Sequence, residues 1–180
     1  NGTIILNRDD KFFNYLNKKA KIKNLKVVTF GVNKNSDVCL KKVITKKKYK
    51  VLTIKIINQT FKITIKNINY YNVLSSLALL KALNLKFSQI LNFYKKIEPT
   101  EGRGKIHKIY RYKKEFNFID ESYNANPLSV KNAILNFNSI KKENFKKYLL
   151  LGDMLELGHK SAELHKDISK VINNSDIDKV

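Results

Sequence analysis

Phe118-Ile-Asp-Glu-Ser-Tyr-Asn-Ala-Asn-Pro127 decides how the second half of this chain folds. The run Glu115–Ile119 alternates toward an apolar end and reads as a strand. Asn126-Pro127 reads as a helix start, with Asn as N-cap and Pro at the first helical position, where its missing N–H costs nothing. Between strand and helix stand two carboxylates, Asp120 and Glu121. In open α/β sheets, ligands bind beyond the carboxyl ends of the strands, and carboxylates there accept hydrogen bonds from ribose hydroxyls. A polar turn that caps a helix fits the same residues. The pattern then recurs: Leu149-Leu-Leu-Gly-Asp-Met-Leu-Glu-Leu-Gly158 sets Asp153 and Glu156 behind an apolar run and a glycine. With one crossover helix between them, the two acidic loops are expected on neighbouring strand ends, facing one crevice. Such a pair could hold an ammonium group, a ribose or Mg²⁺.

Outward from these loops, Lys105–Tyr112 and Glu115–Ile119 suggest a strand pair, and a helix runs from Asn126-Pro127 to about Asn138. Lys147–Leu151 is expected as a buried strand, Ser161–Asn173 as a helix and Asp178–Val180 as the start of another strand. That alternation argues for an incomplete Rossmann-like parallel sheet. Pro99 to Gly104 carries one of two prolines and two of six glycines, and is taken as the boundary between residues 1–99 and 100–180. Before it, Thr3–Leu6, Lys26–Gly31, Val38–Thr45, Lys50–Ile57 and Thr60–Ile65 read as strands, the last two as a hairpin around Asn58-Gln59. Asp9–Ala20, Asn69–Leu83 and Ser88–Ile97 read as helices. The fold class is α/β throughout, with a hairpin-bearing first domain, and the chain reads as truncated at both ends.

Composition narrows the function classes. Hydrophobic residues make up 43% of 180, enough for a packed core. No apolar run approaches the ~18 residues of a membrane-spanning helix, and no secretory leader is expected. The lone Cys39 excludes a disulfide framework and reads as a small core residue. A net charge of +21 raises nucleic acid as a partner, but only Arg8, Arg103 and Arg111 among the 36 basic residues are arginine. Lysine, asparagine and isoleucine together fill 75 positions, as an AT-rich coding sequence would produce. Bidentate groove contacts favour arginine, so the lysines read as solvated surface and no nucleic-acid partner is expected. His107, His159 and His165 show no metal-ligand spacing.

Gly102-Arg103, Ile119-Asp-Glu-Ser-Tyr-Asn-Ala-Asn-Pro127 and Leu151-Gly-Asp-Met-Leu-Glu-Leu-Gly158, followed by Ser161 and His165, closely resemble the Mur ligase family. Gly2-Thr-Ile-Ile-Leu-Asn-Arg-Asp9 and the Asn69–Leu80 helix extend the likeness over essentially the whole chain, from the later part of the family's central ATP-binding domain into its carboxyl-terminal domain. The Tyr-Asn-Ala-Asn-Pro and Gly-Asp-Met-x-Glu-Leu-Gly strings are similar to the members that add D-alanyl-D-alanine. The alternatives are another amino-acid ligase of the superfamily, or a basic nucleic-acid-binding module.

The resemblance implies a monomeric cytoplasmic enzyme of peptidoglycan synthesis without membrane insertion, using ATP and Mg²⁺ to join D-alanyl-D-alanine to UDP-N-acetylmuramoyl-tripeptide through an acyl phosphate. It assigns Asn69, Asn72, Arg103, Asp120 and Glu121 to ATP, with Arg103 also acting catalytically on the phosphate. It assigns Tyr123, Asn124, Asn126, Asp153, Glu156 and His165 to substrates, and no metal ligand to this stretch. Ile68 stands where the family has a histidine, and Glu121 where Asp is usual. No Gly-x-x-x-x-Gly-Lys-[Ser/Thr] phosphate loop occurs in these residues, so catalysis by this stretch alone is not expected.

Overall fold

In a computed structural model, residues 2–46, 49–66, 68–87 and 90–180 are described. Contacts divide the chain into Asn1–Pro99 and Thr100–Val180, and each unit builds its own core.

The first unit is a five-stranded mixed sheet in the order β1-β2-β3-β4-β5. Strands β1 (Thr3–Asn7), β2 (Lys26–Gly31) and β3 (Val38–Thr45) pair in parallel; β3, β4 (Lys50–Ile56) and β5 (Gln59–Ile65) pair antiparallel. Period-two patterning explains the inward row Leu52, Ile54, Ile56, Ile63 and Ile65, each 1% exposed or less. Helix α2 (Tyr70–Ala82) closes the core with Val73, Leu74, Leu77 and Ala78, at the spacing that puts residues on one helical face. Helix α1 (Phe13–Ile22) buries Phe13 and Ala20 and packs on β1 and β2.

Two sequence expectations change here. The helix foreseen from Asp9 starts at Phe13, because Asp9 and Asp10 spend their carboxylates on loop amides: Asp10 accepts from the Phe12 N–H at 2.8 Å. In place of a helix over Ser88–Ile97 there is a short 3₁₀ turn, Leu91–Lys95, anchored by the buried Tyr94; Ser88 and Gln89 lie outside the described residues. The turn follows from that anchor, since the tyrosine hydroxyl bonds the Ser76 hydroxyl of α2 at 2.7 Å.

The second unit opens with the antiparallel hairpin β6 (Lys105–Arg111) and β7 (Lys114–Asp120). Its two-residue turn, Tyr112-Lys113, has both φ values positive, the geometry whose twist matches paired strands. Helices α3 (Pro127–Asn138) and α4 (Ser161–Asn173) then pack together over Val130, Ile134, Met154 and Ile168. Parallel pairing in this unit is the single bridge Tyr148–Lys179. The strand expected over Lys147–Leu151 therefore shortens to one paired residue, and Leu150 is 90% exposed. Lys147 itself is 1% exposed. Its Nζ donates to the Asn138 carbonyl at the end of α3 at 3.0 Å, and its backbone N–H donates to Asp178 at 2.8 Å.

Candidate functional site

In the first unit, polar groups gather where β1 and β2 end. Asp9 follows β1 and accepts from the backbone N–H groups of Val32 (2.6 Å) and Asn33 (3.0 Å), just beyond β2. The hydroxyl of Tyr71, in the first turn of α2, donates to the same carboxylate at 3.1 Å. Gly31 is what admits Asp9, since a Cβ there would run into its carboxylate. Burial first, then the Asp9 charge, pushes the Tyr71 phenol up to about 12.

The two asparagines expected on ATP divide their duties. Asn69 is the N-cap of α2, its Oδ1 accepting from the Tyr71 N–H at 2.9 Å, and among the described residues its NH₂ makes no hydrogen bond. Asn72, one turn on, is exposed. Ser76, a turn further on, donates to the Val73 carbonyl and bonds the Tyr94 hydroxyl. Ile68, where the resemblance implies a histidine, packs against the core.

In the second unit, Gly102-Arg103-Gly104 is knotted to the loop after β7. Asp120 accepts from the Gly102 N–H at 3.0 Å through one oxygen, and from the Ser122 N–H (3.0 Å) and hydroxyl (2.7 Å) through the other. The Ser122 hydroxyl and the two backbone donors hold its carboxyl below the usual aspartate value. Three donors occupy three of about four lone-pair sites, so Asp120 is chiefly a loop organiser. Glu121 runs the other way: partial desolvation and then the Asp120 charge raise it, against a lowering by Arg103. Arg103 is exposed, its guanidinium 4.3 Å from the centre of the Tyr123 ring. Stacking of this kind orients the planar fork and leaves its N–H edges open.

Past Tyr123, the loop is largely self-satisfied. Asn124 Oδ1 accepts from the Ala125 N–H at 2.8 Å. Asn126 forms a reciprocal capping box, its Oδ1 accepting from Leu128 and Ser129 and its own N–H donating to Ser129 Oγ. The sequence had offered Asn126 both to substrate and to a cap, and its oxygen serves the cap. In the other acidic loop, Asp153 and Glu156 flank the buried Met154 and point no hydrogen bond into the fold among the described residues; the Asp153 side chain is 89% exposed. Glu156 sits at φ 61°, in the left-handed region, and is exposed.

The two acidic loops are not joined through neighbouring strands. β7 pairs with β6, and Tyr148 with Lys179. What they share is a core, since Ala125 packs against the cluster that holds Met154. Sequence reasoning gave Asp9 no role of its own, although the signal was present: a carboxylate two residues past an apolar strand, close to the rule already applied to Asp120.

Comparison with known proteins settles the lineage. Residues 1–82 match the Mur ligase middle domain, and residues 106–180 the Mur ligase glutamate ligase domain. The chain belongs to the Mur ligase family. The UDP-N-acetylmuramoyl-tripeptide–D-alanyl-D-alanine ligase of Buchnera aphidicola is 29% identical over the whole chain, and that of Bacillus subtilis 31% identical over 84% of it. The chain spans 38% and 33% of the lengths of these relatives, about a third. MurF of Acinetobacter baumannii superimposes with a TM-score of 0.82 at 22% identity, covering 98% of this chain and 37% of that one. MurF of Thermotoga maritima, solved with ADP, gives 0.78 at 21%, covering 98% and 39%. The mixed sheet and the hairpin-led second unit are thus the Mur ligase middle and carboxyl-terminal folds.

Proposed function

We propose that the polypeptide carrying this chain is an ATP-dependent ligase of peptidoglycan precursor synthesis that joins D-alanyl-D-alanine to UDP-N-acetylmuramoyl-tripeptide. The observation that carries this reading is the whole-length likeness to the Buchnera ligase so named. The exposed carboxylates of the Asp153–Glu156 loop support it, because a peptide amine arrives as a cation.

Within this reading, ATP phosphorylates the tripeptide's terminal carboxylate. The dipeptide ammonium first gives a proton to solvent; its amine nitrogen then bonds to the acyl carbon as the carbon–oxygen bond to phosphate breaks, and the nitrogen gives up a second proton. Asn72 and the NH₂ of Asn69 suit a purine edge, since an amide both donates and accepts. Arg103 offers its open fork to phosphate oxygens, where charge develops in the transition state. Asp120 and Glu121 serve the ribose side, Asp120 chiefly by shaping the loop. Tyr123 and the Asn124 amide face the tripeptide, and Asp153 and Glu156 attract the dipeptide ammonium. Among the described residues no three His, Cys, Asp or Glu side chains gather to hold a metal, so no step is assigned to Mg²⁺ beyond its company with ATP.

The test is a ligation assay on the complete polypeptide with ATP, Mg²⁺, UDP-N-acetylmuramoyl-tripeptide and D-alanyl-D-alanine. ADP, phosphate and the extended peptide should appear together, and only when the dipeptide is present. Turnover with a single amino acid in its place would move the protein to a sister ligase; none at all would overturn the reading.

A further inference from the structure

His165 leaves neither ring nitrogen to a substrate. The Met154 backbone N–H donates to Nε2 at 3.1 Å, and Nδ1 lies 2.8 Å from the Ser161 carbonyl oxygen. A backbone N–H only donates and a carbonyl only accepts. Nδ1 therefore carries the hydrogen and Nε2 the lone pair, and the two partners select one neutral tautomer. Ser161 and His165 are both on α4, four residues apart, so the helix itself aims the ring.

What the ring holds is the acidic loop. The Met154 side chain is 3% exposed and packs with Val130, Ile134 and Ile168. Ile168 follows His165 by three residues, on the same face of α4. One loop residue is thus fixed twice, by its side chain in the core and by its amide on the imidazole. Its neighbours are free: Asp153 is exposed on one side, Leu155 and Glu156 on the other. Asp153 Oδ1 lies 3.8 Å from Nε2, beyond hydrogen-bond reach. The chemistry of the ring suits the place, because a neutral imidazole accepts the amide without adding charge. A carboxylate in its position would repel Asp153 and compete for a cationic ligand.

We propose that His165 is a positioning residue, holding the Gly152–Gly158 loop by the Met154 amide so that Asp153 and Glu156 present their carboxylates to the incoming amine. This rests on the assignment of that loop to D-alanyl-D-alanine made above, and it replaces the direct substrate contact expected of His165.

The experiment compares His165→Leu and His165→Gln in the complete polypeptide. Glutamine can place an uncharged acceptor near the position of Nε2, and leucine cannot. Losing one such hydrogen bond should raise KM for D-alanyl-D-alanine ~10-fold in His165→Leu. KM for ATP should stay unchanged, and His165→Gln should recover most of the loss. Amide exchange at Met154 should accelerate in the leucine variant and slow again in the glutamine one. An unchanged dipeptide KM in His165→Leu, or parallel rises in both KM values without rescue by glutamine, overturns the proposal. A parent protein that ligates no dipeptide overturns the functional reading and the substrate half of this one with it. Met154 exchange and the ¹⁵N signature of an Nδ1–H imidazole still judge the hydrogen bond independently, and an Nε2–H ring would refute it.

Discussion

Tyr71 donates its phenolic hydrogen to Asp9 at 3.1 Å, tying the first turn of α2 to the loop behind β1 across 62 residues of sequence. The same carboxylate holds the amides that follow β2, so one aspartate fixes the carboxyl ends of two parallel strands relative to the helix start that carries Asn69 and Asn72. The phenol stands at about 12, above its ordinary 10.0. A group raised in the folded state contributes stability in full below its unfolded value, and loses it as pH rises through the folded one. Thermal midpoints of the first unit should therefore fall between about pH 10 and about pH 12 more steeply in the parent than in Tyr71→Phe. At neutral pH that variant should cost about 1 kcal/mol. Equal alkaline slopes in the two proteins would contradict the assignment.

Gly102 and Gly158 make a controlled comparison, because both have positive φ, +71° and +60°. A Cβ at Gly102 would lie 2.7 Å from Tyr123 Cβ and 2.9 Å from its backbone nitrogen, whereas at Gly158 it would meet nothing within 4 Å. Left-handed strain alone costs ~1–2 kcal/mol. Gly158→Ala should therefore destabilise the second unit by about that much, and Gly102→Ala by roughly 3 kcal/mol or more, since a backbone clash is added. Urea denaturation of the two variants checks the ranking.

Asn126→Ala removes the acceptor for two amides at the head of α3. Loss of an N-cap of this kind costs about 1 kcal/mol. Ser129→Ala removes the other half of the box and should cost less, because the Asn126 N–H can turn to water. Amide exchange at Leu128 and Ser129 should speed up in the first variant and hardly change in the second.

Arg103 is the residue on which the catalytic reading is most exposed. A fork that meets charge mainly in the transition state changes kcat more than KM. Arg103→Ala should reduce kcat roughly 10²–10³-fold with little change in KM for ATP. Lysine should restore only part, since it brings charge without the planar pair of donors. A near-normal kcat in steady-state assays of the alanine variant would leave Arg103 only its stacking on Tyr123.

Local signals reached the structure where chemistry and periodicity agreed. Asn69 and Asn126 were readable as helix starts because each precedes an apolar helical face. The β4–β5 hairpin was readable from its alternation, although its turn falls at Ile57-Asn58, one residue before the Asn58-Gln59 expected. The misses share a different cause, tertiary recruitment. Asp9 is taken by amides 23 and 24 residues away, so α1 begins later than its apolar spacing suggests. The run at Lys147–Leu151 is apolar enough for a buried strand, but lies beside Asp178–Val180 and pairs once. His165 was legible as a member of a motif, not as a strut, because nothing local says that its partner is a backbone amide 11 residues earlier. Of the carboxylates read as ligands, Asp153 and Glu156 make no hydrogen bond into the fold among the described residues, while Asp120 is largely spent within its own loop.

Lysine-reactive reagents attack from solvent, and this chain offers them 33 targets. Lys147 differs from exposed lysines, its ammonium closed over by the end of α3. Its reaction with an acylating label must wait for that cover to open, and at label concentrations high enough for reaction to outrun reclosing its pace is that of the opening. A mass tag appearing at Lys147 would therefore report the loss of the cover that the Asn138 carbonyl and the end of α3 form over it.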